Sequence, residues 1–211
     1  MRSKQEILKI MGVFEKNDPN PRCELDYSNA FTLLVAVVLS AQSTDKGVNL
    51  ATKELFKIAD TPQKMLNLGL DSLKRYIKTI GLYNNKAKNI ISLSETLVKE
   101  HKGEVPDSLE ALEALAGVGR KTANVVLNVW FNQPTLAVDT HVMRISHRLD
   151  FSKGKTPLEI EKDLSKILPD NLKKNANHWL VLFGRYTCKA QKPLCETCPI
   201  ATYCHSQDKR I

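Results

Sequence analysis

Apolar residues recur at three- and four-residue intervals along nearly the whole chain, and convincing alternating runs that would make strands are absent. Ser3 and Glu6 form a capping box ahead of Ile7, Ile10, Met11 and Phe14, which fall on one helical face. Ser28 is placed to cap a helix over 29–39 that is apolar nearly all round, as suits the buried centre of a bundle. Thr44 is placed to cap the next, with Val48, Ala51, Leu55 and Ile58 inward. Asp71 opens another, with Leu73, Tyr76, Ile77 and Ile80 inward and Gly81 as its stop. A helix from about Asn84 to Glu100 follows, and Thr156, Pro157 and Glu159 start a later one. The expected fold class is all-α.

One junction between helices carries more than packing information. Asp107 and Glu110 are placed to cap a first helix, and Leu115-Ala116-Gly117-Val118-Gly119-Arg120-Lys121 leads into a second that runs to about Phe131. Ala123, Val126, Leu127 and Trp130 form the apolar stripe of that second helix. Two glycines around one apolar residue allow a tight turn, with Val118 plugged inward and backbone amides turned out at the helix start. Such a helix start is an anion site, although the same pattern also serves as an ordinary turn. Lys121 lies in the first turn and shares a helical face with Asn124 and Asn128, away from the apolar stripe, so it is expected to face solvent or a ligand. An attacking amine must be neutral, and a helix N-terminus with Arg120 beside it disfavours added positive charge. A solvated surface lysine is the competing reading. The junction has a weak echo upstream: Gly81-x4-Lys86-Ala87-x-Asn89-Ile90 resembles Gly117-x3-Lys121-x-Ala123-Asn124-Val125. Two junctions with similar needs explain this without a duplicated domain.

Further along, Val138-Asp139-Thr140-His141 precedes an apolar stripe of Val142, Ile145 and Leu149. Asp139 is placed as an N-cap, a role compatible with a second one as a catalytic carboxylate. His141 reads as a structural, hydrogen-bonding histidine.

Four of the five cysteines, Cys188, Cys195, Cys198 and Cys204, share one 17-residue stretch with spacing C-x6-C-x2-C-x5-C. The stretch contains Pro193 and Pro199 and little that could form a core, so a bound centre is needed to order it. The N-terminus lacks an apolar run of the signal-peptide kind, which argues for a reducing interior over two disulfides. Structural zinc usually takes two close-spaced pairs, and only Cys195 with Cys198 makes one. The long outer arms favour a 4Fe-4S cluster modestly over zinc, in a spacing unlike that of ferredoxins. Cys23 stands outside the set, as a reduced, partly buried thiol with no catalytic part.

Composition changes this picture in two ways. The 211-residue chain carries a formal charge of +8, with a pI near 9.2. Over residues 171–211, seven basic side chains (Lys173, Lys174, Arg185, Lys189, Lys192, Lys209, Arg210) stand against Glu196 and Asp208, a surplus of five. A basic face of this kind suits nucleic-acid phosphates or simple solubility. The longest apolar run, Leu33 to Leu39, is too short for a membrane span.

Taken together, the hairpin with Lys121, the Val-Asp-Thr-His with Asp139 and the four-cysteine spacing resemble the endonuclease III family of helix–hairpin–helix DNA glycosylases. The likeness extends to Leu39-Ser40-Ala41-Gln42-Ser43-Thr44-Asp45 and Gly81-Leu82-Tyr83-Asn84, and covers nearly the whole chain. It implies two helical lobes: a six-helix barrel over residues 22–132, and a discontinuous cluster lobe of residues 1–21 with 133–211. It implies damaged double-stranded DNA as partner, a monomer without membrane contact, and a cytoplasmic, bacterial-type setting. Lys121 would be the nucleophile and Asp139 its supporting carboxylate. Gly117, Val118, Gly119 and Arg120 would hold a phosphate, Gln42 and Leu82 would fill the gap left by a flipped nucleotide, and Lys192 would lie in a basic loop that grips DNA. Ala116 departs from the proline common there, which costs at most about 1 kcal/mol of stability through unfolded-state freedom. The related adenine–mismatch glycosylases lack the hairpin lysine. A DNA-binding module without catalysis would need neither Lys121 nor Asp139, and a zinc-stapled helical module is the third alternative.

Overall fold

The computed structural model describes residues 1–210, and among them the regular elements are all helical. The chain divides into two compact units, Glu24–Asn132 and a discontinuous one of Met1–Cys23 with Gln133–Ile211.

The continuous unit is built round α2 (Ala30–Ser40), in which every residue from Phe31 to Leu39 is buried. At about 1.5–3 kcal/mol per large apolar side chain, this one helix supplies much of the unit's hydrophobic stabilisation. Its cap is Asn29, one residue later than expected. Asn29 accepts from the Thr32 amide at 2.8 Å, and Thr32 Oγ1 accepts from the Asn29 amide at 3.0 Å. Around α2 lie α3 (Asp45–Ile58), α6 (Tyr83–Glu100) and α8 (Arg120–Val129), joined by α4 (Pro62–Leu68), α5 (Leu70–Ile77) and α7 (Leu109–Glu113). That makes seven helices in this unit. Thr61 and Pro62 start α4, which the apolar pattern alone passed over, and Gly69 at φ 78° ends it and begins α5.

Three residues expected inward turn out instead. Ile58 and Tyr76 are 46% and 38% exposed, since Ala59 fills the interior beyond α3 and Leu73 with Ile77 sets the buried face of α5. Trp130, 39% exposed, leaves its stripe for an edge-to-face contact with Tyr27 at 6.3 Å. Ala51 is half-buried, and Thr52 is the buried residue of that turn.

In the discontinuous unit, α1 (Lys4–Asn17) begins at the Ser3–Glu6 capping box. It packs through Ile7, Ile10, Met11 and Phe14 into a core shared with α9 (Thr140–Arg148), α10 (Pro157–Ile167) and α11 (Asp170–Leu182). Phe14 meets Phe183 with ring centroids 5.0 Å apart. Trp179 Nε1 donates to the Asp18 carbonyl at 2.7 Å, which fixes the exit of α1. Thr156 and Glu159 form a second capping box at α10. No helix among the described residues is long and apolar enough to cross a membrane.

Candidate active site and metal centre

The hairpin follows α7, which Ser108 caps by accepting from the Ala111 amide at 3.3 Å; Asp107 and Glu110 flank this cap and do not form it. Val118 is 5% exposed, plugged inward as its spacing required. Gly117 adopts φ 76°, and a Cβ there would lie 2.6 Å from Asn89 Nδ2. Glycine is therefore needed twice over, for its dihedral and for the approach of α6. Gly119 is the N-cap of α8 and offers no side-chain oxygen to the first-turn amides, so the helix start is suited to an external anion. Gly117→Ala should cost about 1–3 kcal/mol through left-handed strain and the Asn89 clash. Calorimetry should show a melting point lower by several degrees, with weakened DNA binding.

Lys121 is exposed in the first turn of α8. Asn124 and Asn128, expected beside it on a solvent face, are instead 2% exposed. Of the three residues on that face, Lys121 alone is exposed. Arg120 reaches Glu113 across the hairpin at 3.9 Å, an exposed pair that contributes little.

In the same unit, Gln42 and Leu82 come from loops far apart in sequence that meet in space. A Cβ on Gly81 would stand 3.7 Å from the Gln42 carbonyl oxygen. Both residues adopt left-handed backbone, φ 57° and 59°, and both side chains are exposed, Leu82 by 61%.

Asp139 belongs to the other unit, where it is the N-cap of α9. Its Oδ1 accepts from the His141 and Val142 amides at 2.8 and 2.9 Å. The segment leading to it is buried from Leu136 to Val138, and the Ala137 amide donates to Asn177 Oδ1 at 3.0 Å. His141 takes the structural place expected, its Nδ1 3.2 Å from Arg144 Nη2.

The same helix grips the start of the cysteine segment. A single π-helical turn, Phe183–Thr187, follows α11 and delivers Cys188. A Cβ on Gly184 would stand 3.0 Å from His141 Cβ, so a bare glycine allows this turn to lie on α9. Arg144 donates to the Gly184 and Cys188 carbonyls at 2.6 and 3.2 Å. Arg148 donates to the Lys189 and Ala190 carbonyls at 2.7 and 3.2 Å and approaches Cys188 Sγ at 3.4 Å. Neither arginine was singled out from sequence, nor were Lys86 and Asn89 as site residues, although both stand in the upstream echo of the hairpin.

The cysteines are unbridged among the described residues, and Cys23 is half-buried. Cys188, Cys195, Cys198 and Cys204 line one cavity with Leu149, Pro193, Leu194 and Ile200. Burial pushes the Cys188 and Cys198 thiols up, and the Arg148 guanidinium pulls Cys188 the other way. Yet no three His, Cys, Asp or Glu side chains among the described residues form a group able to hold a single ion. Four thiols round one cavity fit a 4Fe-4S cluster with one thiolate per iron. Lys192 lies in this loop, exposed, with φ 51°.

Comparison with known proteins agrees with this geometry. Residues 35–170 match the family model described as HhH-GPD superfamily base excision DNA repair protein, and residues 188–204 match the iron-sulfur binding domain of endonuclease III. The chain is 53% identical to endonuclease III of Haemophilus influenzae over 98% of both chains. It is 51% identical to that of Escherichia coli, again over 98% of both. Its fold matches the solved structure of a trapped endonuclease III–DNA covalent intermediate with a TM-score of 0.92, at 47% identity over 97% of each chain. A thermostable thymine-DNA glycosylase, 20% identical, shares the fold with a TM-score of 0.81. With its hairpin, its four-cysteine centre and relatives alike from end to end, the chain belongs to the endonuclease III family of base excision DNA repair enzymes.

Proposed function

We propose that this DNA glycosylase is bifunctional: it removes oxidised or ring-saturated pyrimidines and then nicks the strand 3′ to the abasic site. The observation that carries this reading is Lys121, an exposed amine in the first turn of α8 directly behind the Gly117–Gly119 turn. Hairpin amides, with Arg120, hold a phosphate of the damaged strand. The Lys121 amine attacks C1′, and the bond from C1′ to the damaged base breaks as the base leaves with a proton. The Asp139 carboxylate assists that departure and steadies the positive charge developing on the sugar. Opening of the sugar ring gives a Schiff base; loss of a proton from C2′ then expels the 3′ phosphate. Water finally releases the enzyme. No step changes the oxidation state. Gln42 and Leu82 fill the space of the extruded nucleotide, whose flipping costs a few kcal/mol and least where pairing is already damaged. The protein works as a monomer on duplex DNA in the cytoplasm of a bacterial-type cell.

The test is incubation with duplex DNA bearing thymine glycol in the presence of borohydride, which should reduce the Schiff base to a stable protein–DNA adduct. Base release without adduct or nick would leave a monofunctional glycosylase.

The basic segment around Lys192 grips the backbone, so affinity should fall steeply with salt, by about −0.9 in log–log slope per phosphate contacted. A flat response in anisotropy titrations would reduce that face to a solubility feature. The four cysteinyl thiolates hold the cluster, which orders this loop. Metal analysis should find about four irons per chain in a yellow-brown protein. Loss of any one cluster cysteine should increase protease cleavage within 188–204 more than within the helical unit over 24–132.

A further inference from the structure

Lys86 has no part in the chemistry above, yet it is 6% exposed and its charge lies inside the protein. Buried lysines are rare unless paired with a carboxylate. This one donates instead to the Leu39 carbonyl at 2.9 Å, the Ala41 carbonyl at 2.6 Å and Ser43 Oγ at 3.2 Å. Its three donors thus meet three uncharged oxygens, all at the carboxyl end of α2 or just beyond it. A cation is favoured at that end by the helix dipole. Burial alone pushes its pKa below that of an ordinary lysine.

The three oxygens flank Gln42 on both sides. Lys86 also lies in the first turn of α6, where its own amide donates to the Leu82 carbonyl at 3.1 Å. Lys86 therefore ties together two exposed residues, its side chain holding the Gln42 loop and its backbone amide the Leu82 turn, each residue in left-handed backbone that non-glycine residues avoid. Such strain persists only where the surroundings over-determine it, and it gathers at functional sites. The echo between the two junctions gains a physical meaning here. Lys121 and Lys86 occupy like places after a glycine turn, but Lys121 faces outward and Lys86 is turned under the neighbouring loop.

We infer that Lys86 is a positioning residue for nucleotide extrusion: its amine locks the Gln42 loop against the Leu82 turn so that both side chains enter the DNA stack together. This rests on the assignment of Gln42 and Leu82 as gap-filling residues.

The test compares single-turnover excision of thymine glycol paired with adenine against the same lesion in a one-nucleotide bulge, which has no orphan base to displace. Lys86→Met keeps the length and apolar stem and removes the donors. It should slow excision from the paired duplex about 10- to 100-fold, the cost of small misplacement, and leave the bulge within about threefold of wild type. In a Gln42→Ala, Leu82→Ala background it should add less than about threefold, since the groups act as a unit. Equal losses on both substrates, or full additivity in that background, would overturn the proposal. A Gln42→Ala, Leu82→Ala protein with unimpaired paired excision would show instead that the gap-filling assignment was wrong. If Lys86→Met does not fold, Ser43→Ala removes one acceptor on an open loop and should lower the paired-to-bulged ratio about threefold; an unchanged ratio would overturn the proposal.

Discussion

Lys121→Ala is expected to yield no borohydride-trapped complex and no strand nick, while still binding damaged DNA. Alanine is the best helix former, and Lys121 is exposed, so folding should change by no more than about 0.5 kcal/mol. Binding survives because the first-turn amides of α8 and the Gly117–Gly119 turn belong to the backbone. Lys121→Gln separates loss of the amine from loss of side-chain bulk and should behave in the same way. Gel detection of the adduct against anisotropy measurement of binding checks both halves. Adduct formation by Lys121→Ala at the wild-type rate would make another amine the nucleophile.

Asp139→Asn should slow base excision by about 10²–10⁴-fold with little change in stability. Asparagine is as good an N-cap as aspartate, and its Oδ1 can accept the same two amides of His141 and Val142. What disappears is the negative charge, whose interaction with the α9 dipole is about 0.3–1 kcal/mol. Melting temperature and single-turnover rate should therefore part company. A variant that unfolds while its residual folded fraction reacts at the normal rate would reduce Asp139 to a cap.

Much of this molecule could be read along the chain because its features are local. The Ser3–Glu6 and Thr156–Glu159 boxes, the Asp139 cap, the Val118 plug and the fully apolar α2 each depend on residues within one or two turns. Errors arose where a distant partner decides the outcome. Asn124 and Asn128 are polar at positions that periodicity assigns to solvent, yet both are buried. Ile58 and Tyr76 are apolar at edges where the packed face has already turned away. Lys86 could not be told from Lys121 by spacing. What separates them is the end of α2, 45 residues upstream of Lys86 at the Ala41 carbonyl. Likewise the roles of Arg144 and Arg148 depend on carbonyls about 40 residues away.

Those two arginines bear on how the metal centre is assembled. Their donors hold Gly184, Cys188, Lys189 and Ala190 by backbone carbonyls, contacts that need no iron. Cys188 is thus moored at one end, and Ile200, fully buried in the same core that Cys198, Tyr203 and Cys204 pack against, moors the other. The proline-bearing stretch between those two moorings, which carries Cys195, is then the part that the cluster itself must order. Mooring at both ends confines the entropy cost of building the site to one short stretch of chain.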